Sequence, residues 1–452
     1  AVIPKEPHGH ELHLYRQDSD YFLMQTAVKY GATIYQNRKV VDVDFDADFP
    51  VVRLEKGDPV SAKYIVDASG FRSPLAQKFG LRHREIETRS RGIFTHMIDV
   101  SAFEHLSGVD PKNLPFPMAE GTLHHVFEGG WLWVIPFNNH PQATNSVCSV
   151  GLLLDPERFP EDRSLSPEEE FFKFIQRFPE IARQLKTGKA IRPWVRAPRI
   201  QYGAAQVVGN RWALLGHAAG FVDPLFSKGL YASLSGVSML AYLLLKADAI
   251  DDYRRAAFLP FERLTLNYLK NNDRLISNAY RSFQHPELWR RYAVLWLLGA
   301  YTEYLQLNMI RAKADGNRDT YYADFVDCCL VGGGFDEFSS LSSRVDQLLT
   351  EFTRKRAAGK PVSIENTVSK IDQLYAEIYW MPKPFVDILN GAASLPRRKV
   401  RTDLFKQEAG FLGAGRYRQH FFGSQSLLGL VKLYLTEKWR YGRIRLILEP
   451  HA

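Results

Sequence analysis

The segment Arg211-Trp-Ala-Leu-Leu-Gly-His-Ala-Ala-Gly-Phe-Val-Asp-Pro-Leu-Phe-Ser-Lys-Gly-Leu230 constrains the fold more than any other stretch of this chain. Residues 211–215 read as a buried strand. Gly216 and the small pair Ala218-Ala219 let the backbone come close to a neighbour. Asp223-Pro224 reads as the start of a helix, because proline costs nothing at the first helical position. The run 229–245 carries no charge and is almost long enough to cross a membrane. It contains Ser233, Ser235, Gly236 and Ser238, so it reads as a buried helix of a globular domain and no membrane is expected. Free N–H groups at the start of such a helix favour negatively charged or electron-rich groups. A tight strand-to-helix turn that needs small residues for packing accounts for the same sequence.

The rest of the chain supports a mixed α/β (α+β) fold. Residues 19–31 place Phe22, Leu23, Thr26, Ala27 and Tyr30 at helical spacing, and Gly31 ends the run. Residues 32–35, 40–43, 51–54 and 64–67 read as short strands. Asp67-Ala-Ser-Gly70 then sits at a strand's carboxyl end, where open α/β sheets bind ligands. From Arg91 to Leu154 the pattern alternates. Residues 121–127, 131–135 and 146–153 predict an antiparallel meander, turned at Glu128-Gly-Gly130 and Asn138-Asn-His-Pro141. A helix is expected around 167–178. Beyond Asp251 the apolar spacing is helical over 261–280, 286–309 and 341–357. Val331-Gly-Gly-Gly-Phe335 breaks that region and lacks the Gly-Lys-Ser/Thr pattern of a phosphate loop.

A chain of 452 residues can bury a large core and divide into several units. Cys148, Cys328 and Cys329 have neither disulfide-framework nor zinc spacing, which fits a reducing cytoplasm. The start, Ala1-Val-Ile-Pro-Lys5, has no apolar signal region. The net charge of +8 gathers beyond Leu395, from Arg397 to Arg445. That stretch suits an acidic partner or a solvated surface, and without a recognised binding module no nucleic acid is expected. His124 and His125 adjoin on a strand and point to opposite faces. No metal site is expected there, because no carboxylate stands at ligand spacing.

Three motifs carry a resemblance. Gly216-His-Ala-Ala-Gly-Phe-Val-Asp-Pro-Leu-Phe-Ser-Lys-Gly229 is similar to the Gly-Asp-Ala-Ala-Gly-Phe-Ile-Asp-Pro-Leu-Phe-Ser-Ser-Gly segment of flavin-dependent halogenases. Trp131-Leu-Trp133-Val-Ile135-Pro136 resembles their Trp-x-Trp-x-Ile-Pro motif. Asp67-Ala-Ser-Gly-Phe-Arg-Ser-Pro-Leu-Ala76 resembles a segment common to the FAD-dependent monooxygenase superfamily. The resemblance implies a monooxygenase/halogenase-like fold: a partial FAD-binding domain over 1–82, a substrate-side antiparallel sheet over 83–205, a returning FAD-binding segment over 206–250 and a large helical region over 251–452. It implies FAD contacts at Asp67, Gly70, Gly216, His217, Ala218, Asp223, Pro224, Gly229 and Leu230, and halide contacts at Ser227, Lys228 and Gly229. Trp131, Trp133 and Ile135 share one strand face. With Pro136 they would wall substrate from flavin.

The activity implied is halogenation of an electron-rich aromatic with FADH2, O2 and chloride or bromide, the flavin being reduced by a separate reductase. Two departures matter. His217 stands where the family carries Asp, and an imidazole can still hydrogen-bond a hydroxyl. Phe226 stands where halogenases of free tryptophan carry Glu, which favours phenolic, pyrrolic or carrier-tethered substrates. A flavin monooxygenase or reductase, and an inactive relative acting as a binding protein, are the alternatives. The family's Gly-x-Gly-x-x-Gly fingerprint and essential lysine are expected upstream of the segment represented. Lys29, Lys39 and Lys63 do not match that lysine. The chain therefore reads as N-terminally shortened, or as completed by another segment.

Overall fold

The computed structural model describes residues 12–328 apart from 107, 109–116 and 140–142, then 331–391 and scattered positions between 402 and 439. His140, Cys329 and most of the basic C-terminal stretch lie outside the described residues. In chain order the elements begin with helix α1 (Arg16–Lys29), strands β1 (Val40–Asp44), β2 (Val51–Leu54), β3 (Val60–Ser61) and β4 (Ile65–Asp67), helix α2 (Pro74–Lys78) and strand β5 (Arg82–His83). Strands β6 (Arg91–Ile98), β7 (Leu123–Phe127), β8 (Gly130–Pro136) and β9 (Cys148–Leu154) precede helices α3 (Pro167–Ile175) and α4 (Pro179–Leu185). Short strands β10 (Lys189–Ala190), β11 (Val195–Ala197), β12 (Gly203–Ala204), β13 (Val208–Gly209) and β14 (Trp212–Leu214) follow. Helices α5 (Lys228–Ile250), α6 (Leu259–Ser282), α7 (Pro286–Ala314), α8 (Arg318–Phe325), α9 (Asp336–Ala357), α10 (Ile364–Ala376) and α11 (Lys383–Leu389) complete it. Contacts divide the chain into two units, Leu14–Arg91 with Ala197–Ser277, and the described parts of Ala1–His13, Gly92–Arg196 and Asn278–Ala452.

In the unit of Leu14–Arg91 and Ala197–Ser277, β1, β2 and β3 form an antiparallel sheet, and β4 runs parallel to β14 with β13 beyond it. The carboxyl ends of β4 and β14 therefore open side by side, and Leu215 N donates to Asp67 O at 2.8 Å. Residues 32–35, expected as a strand, are not one. Gly31 turns left-handed at φ 94° and the Ala32 N–H bonds back to Ala27 O at 3.0 Å, so the segment begins by capping α1. The long apolar helix starts at Lys228, later than Asp223-Pro224 suggested. Asp223 Oδ1 captures the Leu225 N–H at 3.0 Å and Ser227 N closes a turn on Pro224 O at 2.9 Å, so local bonds replace the first helical turn. By length and composition alone α5 is apolar enough to cross a membrane. Its Ser235, Gly236, Met239, Leu240, Leu243 and Ala247 form a buried stripe, while Leu234, Leu245 and Ile250 are exposed. The helix is thus buried on one face and not throughout, as its sequence had suggested.

The other unit is built on an antiparallel sheet in the order β10-β6-β9-β8-β7, with β11 also pairing β6. Alternation sorts its faces. Leu132, Val134, Val150, Leu152, Ile93 and Met97 are buried and pack with Phe171, Phe174, Ile181 and Leu185 of α3 and α4. The helix expected over 167–178 splits in two. Ser166 and Glu169 form a capping box at the start of α3, and Phe178, extended before Pro179, separates it from α4. Among the later helices, Arg291 of α7 grips Asp372 of α10 through Nε at 3.0 Å and Nη2 at 2.9 Å. Tyr375 Oη donates to Arg291 O at 2.7 Å. The break at 331–335 precedes α9, and Val331, Gly332, Gly333 and Gly334 all carry positive φ.

Candidate functional site

Two loops leave the adjacent strand ends. In the first, the Asp67 carboxylate is spent on folding. It accepts from Ser69 N at 3.0 Å, Ser69 Oγ at 2.5 Å, Ser73 Oγ at 2.6 Å and Leu75 N at 3.2 Å. Ser73 in turn caps α2. Gly70 stands at the loop's tip with φ 75°, and a Cβ there would meet no heavy atom within 4 Å. In the second loop Gly216 has φ 56°, and a Cβ would stand 3.0 Å from Ser233 Oγ. Ala218 and Ala219 are buried. His217 is exposed, its ring edge-on to Phe221 at 4.8 Å between centroids. Its Nε2 would lie 3.7 Å from a Cβ on Gly229. Surrounding protein and then the Arg16 cation push the imidazole below its ordinary pKa, which favours the neutral ring.

One side chain spans both loops. Arg82 Nη1 donates to Ala218 O at 2.8 Å, and Nη2 donates to Gly70 O at 2.9 Å and Phe71 O at 3.0 Å. Its guanidinium lies over the Tyr202 ring at 4.8 Å, and Tyr202 Oη donates to His217 O at 2.9 Å. Arg82 closes the Phe79-Gly-Leu-Arg82 run that follows the Asp67–Ala76 motif, but the sequence gives it no role, and no local signal marks Tyr202.

The positions expected to contact halide lie at the start of α5. Ser227 is exposed and left-handed at φ 53°, and its side chain makes no cap bond. Lys228 Nζ lies over the Tyr231 ring at 5.4 Å. Gly229 and Leu230 are exposed. Asp223 is buried and accepts from Ser90 Oγ at 3.0 Å, Pro224 is half-buried beside it, and Phe226 is buried. The unit thus gathers Asp67, Gly70, Gly216, His217, Ala218, Asp223 and the 224–230 segment. Its open glycines, exposed Phe71 and His217, and a helix start without a side-chain cap suit a flat, extended, partly anionic group such as FAD.

The tryptophan motif occupies β8 of the other unit. Trp131 and Trp133 share a face, with ring centroids 5.5 Å apart. His124 meets Trp131 edge-on at 4.9 Å. Trp133 Nε1 donates to Ser149 Oγ at 3.1 Å, and its ring covers Gly151, where a Cβ would stand 2.0 Å from Cζ2. Trp131 is fully buried and its Nε1 has no hydrogen-bond partner. Ile135 and Pro136 continue the strand opposite Ser149 and Cys148. His125 points to the opposite face, where its Nε2 donates to Gln184 Oε1 at 2.8 Å. Ser149 and Gly151 seat the Trp133 ring, and the motif alone names neither; a glycine inside an apolar strand was the available signal for Gly151.

Comparison with known proteins agrees with these features. The family model described as Tryptophan halogenase matches residues 4–321. The chain is 44% identical over 291 residues to the tetracycline 7-halogenase of Kitasatospora aureofaciens, covering 64% of this chain and 52% of that protein. It is 40% identical over 329 residues to the monodechloroaminopyrrolnitrin halogenase PrnC of Pseudomonas fluorescens, covering 72% and 58%. Among solved structures, halogenase PltM in complex with phloroglucinol and FAD aligns with a TM-score of 0.75 at 34% identity, over 81% of this chain and 73% of that one. The chain spans little more than half the length of these curated relatives. A match that covers most of the chain, on a fold with the expected loops and tryptophan strand, makes it a member of the tryptophan halogenase family.

Proposed function

We propose that this chain acts as a flavin-dependent halogenase that places chloride or bromide on an electron-rich aromatic ring. The observation that carries the reading is the pair of loops at the ends of β4 and β14, which leaves Gly70, His217 and the start of α5 open on one unit. Bound and reduced, FAD supplies the two-electron activation of O2 that turns a halide into an electrophilic halogen. The chain's residues do the rest. Gly70, Gly216, His217, Ala218, Gly229 and Leu230 receive the flavin. Asp67 and Asp223 act from behind, holding the loops through their hydrogen bonds. Backbone N–H groups at Lys228 and Gly229, beside the Ser227 turn, attract the halide. Trp131, Trp133 and Ile135, with Pro136, keep the organic substrate from the oxidant.

Names of relatives support the substrate class. One is a 1H-pyrrole-2-carbonyl-[peptidyl-carrier protein] chlorinase, others act on tetracycline or monodechloroaminopyrrolnitrin, and PltM was solved with phloroglucinol. With Phe226 buried where a carboxylate would be needed, we favour phenolic, pyrrolic or carrier-tethered rings over free tryptophan. A separate reductase and the cytoplasm complete the proposal. The test incubates the full-length gene product with FAD, NADH, O2, chloride or bromide and a panel of phenols and pyrroles, with and without a flavin reductase. Mass spectrometry is expected to find halogenated products that depend on an added reductase. Hydroxylated products alone, or direct NAD(P)H oxidation by the protein, would assign it to a monooxygenase or reductase.

A further inference from the structure

We propose that Arg82, supported by Tyr202, is a positioning residue that sets the two flavin loops at their working separation. This rests on the flavin reading above. Each loop is organised by its own bonds. Asp67 holds residues 69–75, and in the second loop Ala218 N bonds Leu215 O at 3.1 Å and Ala219 N bonds Gly216 O at 3.0 Å. Those bonds leave the distance between the loops to the short β4–β14 ladder and to Arg82. One planar guanidinium reaches Ala218 O on one loop and Gly70 O and Phe71 O on the other. A lysine has a single nitrogen and cannot hold that fork.

The direction of the bonds matters as much as their number. Across a trans peptide the N–H points opposite to the C=O. Drawing the carbonyls of Gly70 and Phe71 toward Arg82 therefore turns the N–H groups of Phe71 and Arg72 the other way and takes acceptor oxygens out of competition with a ligand's phosphates and hydroxyls. The anchor is itself fixed. Arg82 pairs Ala204 in the β5–β12 ladder, and Tyr202 precedes that strand, so one short ribbon positions both side chains. The Tyr202 ring underlies the cation at 4.8 Å and touches Phe71 edge-on at 4.9 Å between centroids. Its hydroxyl holds the His217 carbonyl. Backbone carbonyls at Gly70, Phe71, His217 and Ala218 thus answer to one pair of side chains.

The test compares the full-length gene product with its Arg82→Lys, Arg82→Met and Tyr202→Phe variants. FAD is titrated by visible absorbance at temperatures where far-ultraviolet circular dichroism shows each variant folded. Arg82→Lys and Arg82→Met are expected to raise the Kd for FAD about tenfold or more, and Tyr202→Phe about threefold. The absorption bands of bound flavin are expected to move toward those of free flavin, a change that lost stability alone does not produce. Wild-type affinity and spectrum in Arg82→Lys overturn the proposal, as does a variant whose only change is a lower Tm. Should the Arg82 variants not fold, wild-type affinity in Tyr202→Phe overturns it. A wild-type protein that binds no FAD overturns the flavin reading itself, and this inference with it.

Discussion

One absent methyl group decides how Trp133 stands. Its ring lies on Gly151, and a Cβ there would come within 2.0 to 2.5 Å of Cζ2, Cη2 and Cε2. No non-bonded pair of carbons approaches so closely, so Gly151→Ala must lift the indole and break its bond to Ser149. Overpacking of this kind costs roughly 1–3 kcal/mol, whereas Ser149→Ala, which removes only the hydrogen bond, costs about 1 kcal/mol. Urea unfolding should rank the two in that order. Because Gly151→Ala also tilts the proposed wall, it should lower halogenated product per flavin oxidised more than Ser149→Ala does. Equal ratios in both variants would deny the ring's orientation a role. The tryptophans were legible from their spacing. Their seat was not, because Gly151 meets Trp133 only through the β8–β9 register, and register is a property of paired strands.

At the scale of elements, the start of α5 is set by a buried network. Ser90 Oγ donates to Asp223 Oδ2, Gln201 Nε2 donates to Ser90 Oγ at 2.7 Å, and Ser90 N donates to Gln201 Oε1 at 3.1 Å. All three residues are buried. Removing the carboxylate strands donors that water cannot reach, so Asp223→Ala should destabilise by about 2–4 kcal/mol, measured by denaturant midpoint. Asp223→Asn keeps an acceptor oxygen and should recover more than half of that loss. No recovery would mean that charge, and not acceptance, holds the turn. This network also explains the misplaced helix boundary. Pro224 is a fair sign of a helix start, but Asp223 competes for the next N–H groups, and the outcome depends on Ser90 and Gln201, far away in sequence. The main strands and long helices were legible because their periodicity is local. Strands of two or three residues, such as β5 and β12, carry no period, and so the Arg82–Tyr202 ribbon stayed invisible in the sequence.

Across the whole molecule, histidines make stability depend on pH. Burial lowers the pKa of His125, opposed by its bond to Gln184, and burial followed by the Arg192 charge lowers that of His96. His217 shifts the same way. An unfolded histidine titrates near 6.5. Below that value the unfolded chain takes up protons that the native rings resist, so the native state loses stability as pH falls. Above it both states are neutral and the slope vanishes. Half-buried Asp252, held at about 2 by Arg254, contributes in the same direction but only below its ordinary 3.8. Two windows result. Tm should be flat from about pH 8 to 7, fall between about 6.5 and 5 as the histidines charge, and fall again below about 4 as paired carboxylates protonate. His125→Gln keeps an amide donor facing Gln184 and removes one of the three titrations, so it should make the first fall shallower while leaving the second unchanged. A Tm that rises between pH 6.5 and 5, or a His125→Gln profile that overlays the wild type, would mean that these rings take up protons as readily in the native state as in the unfolded chain.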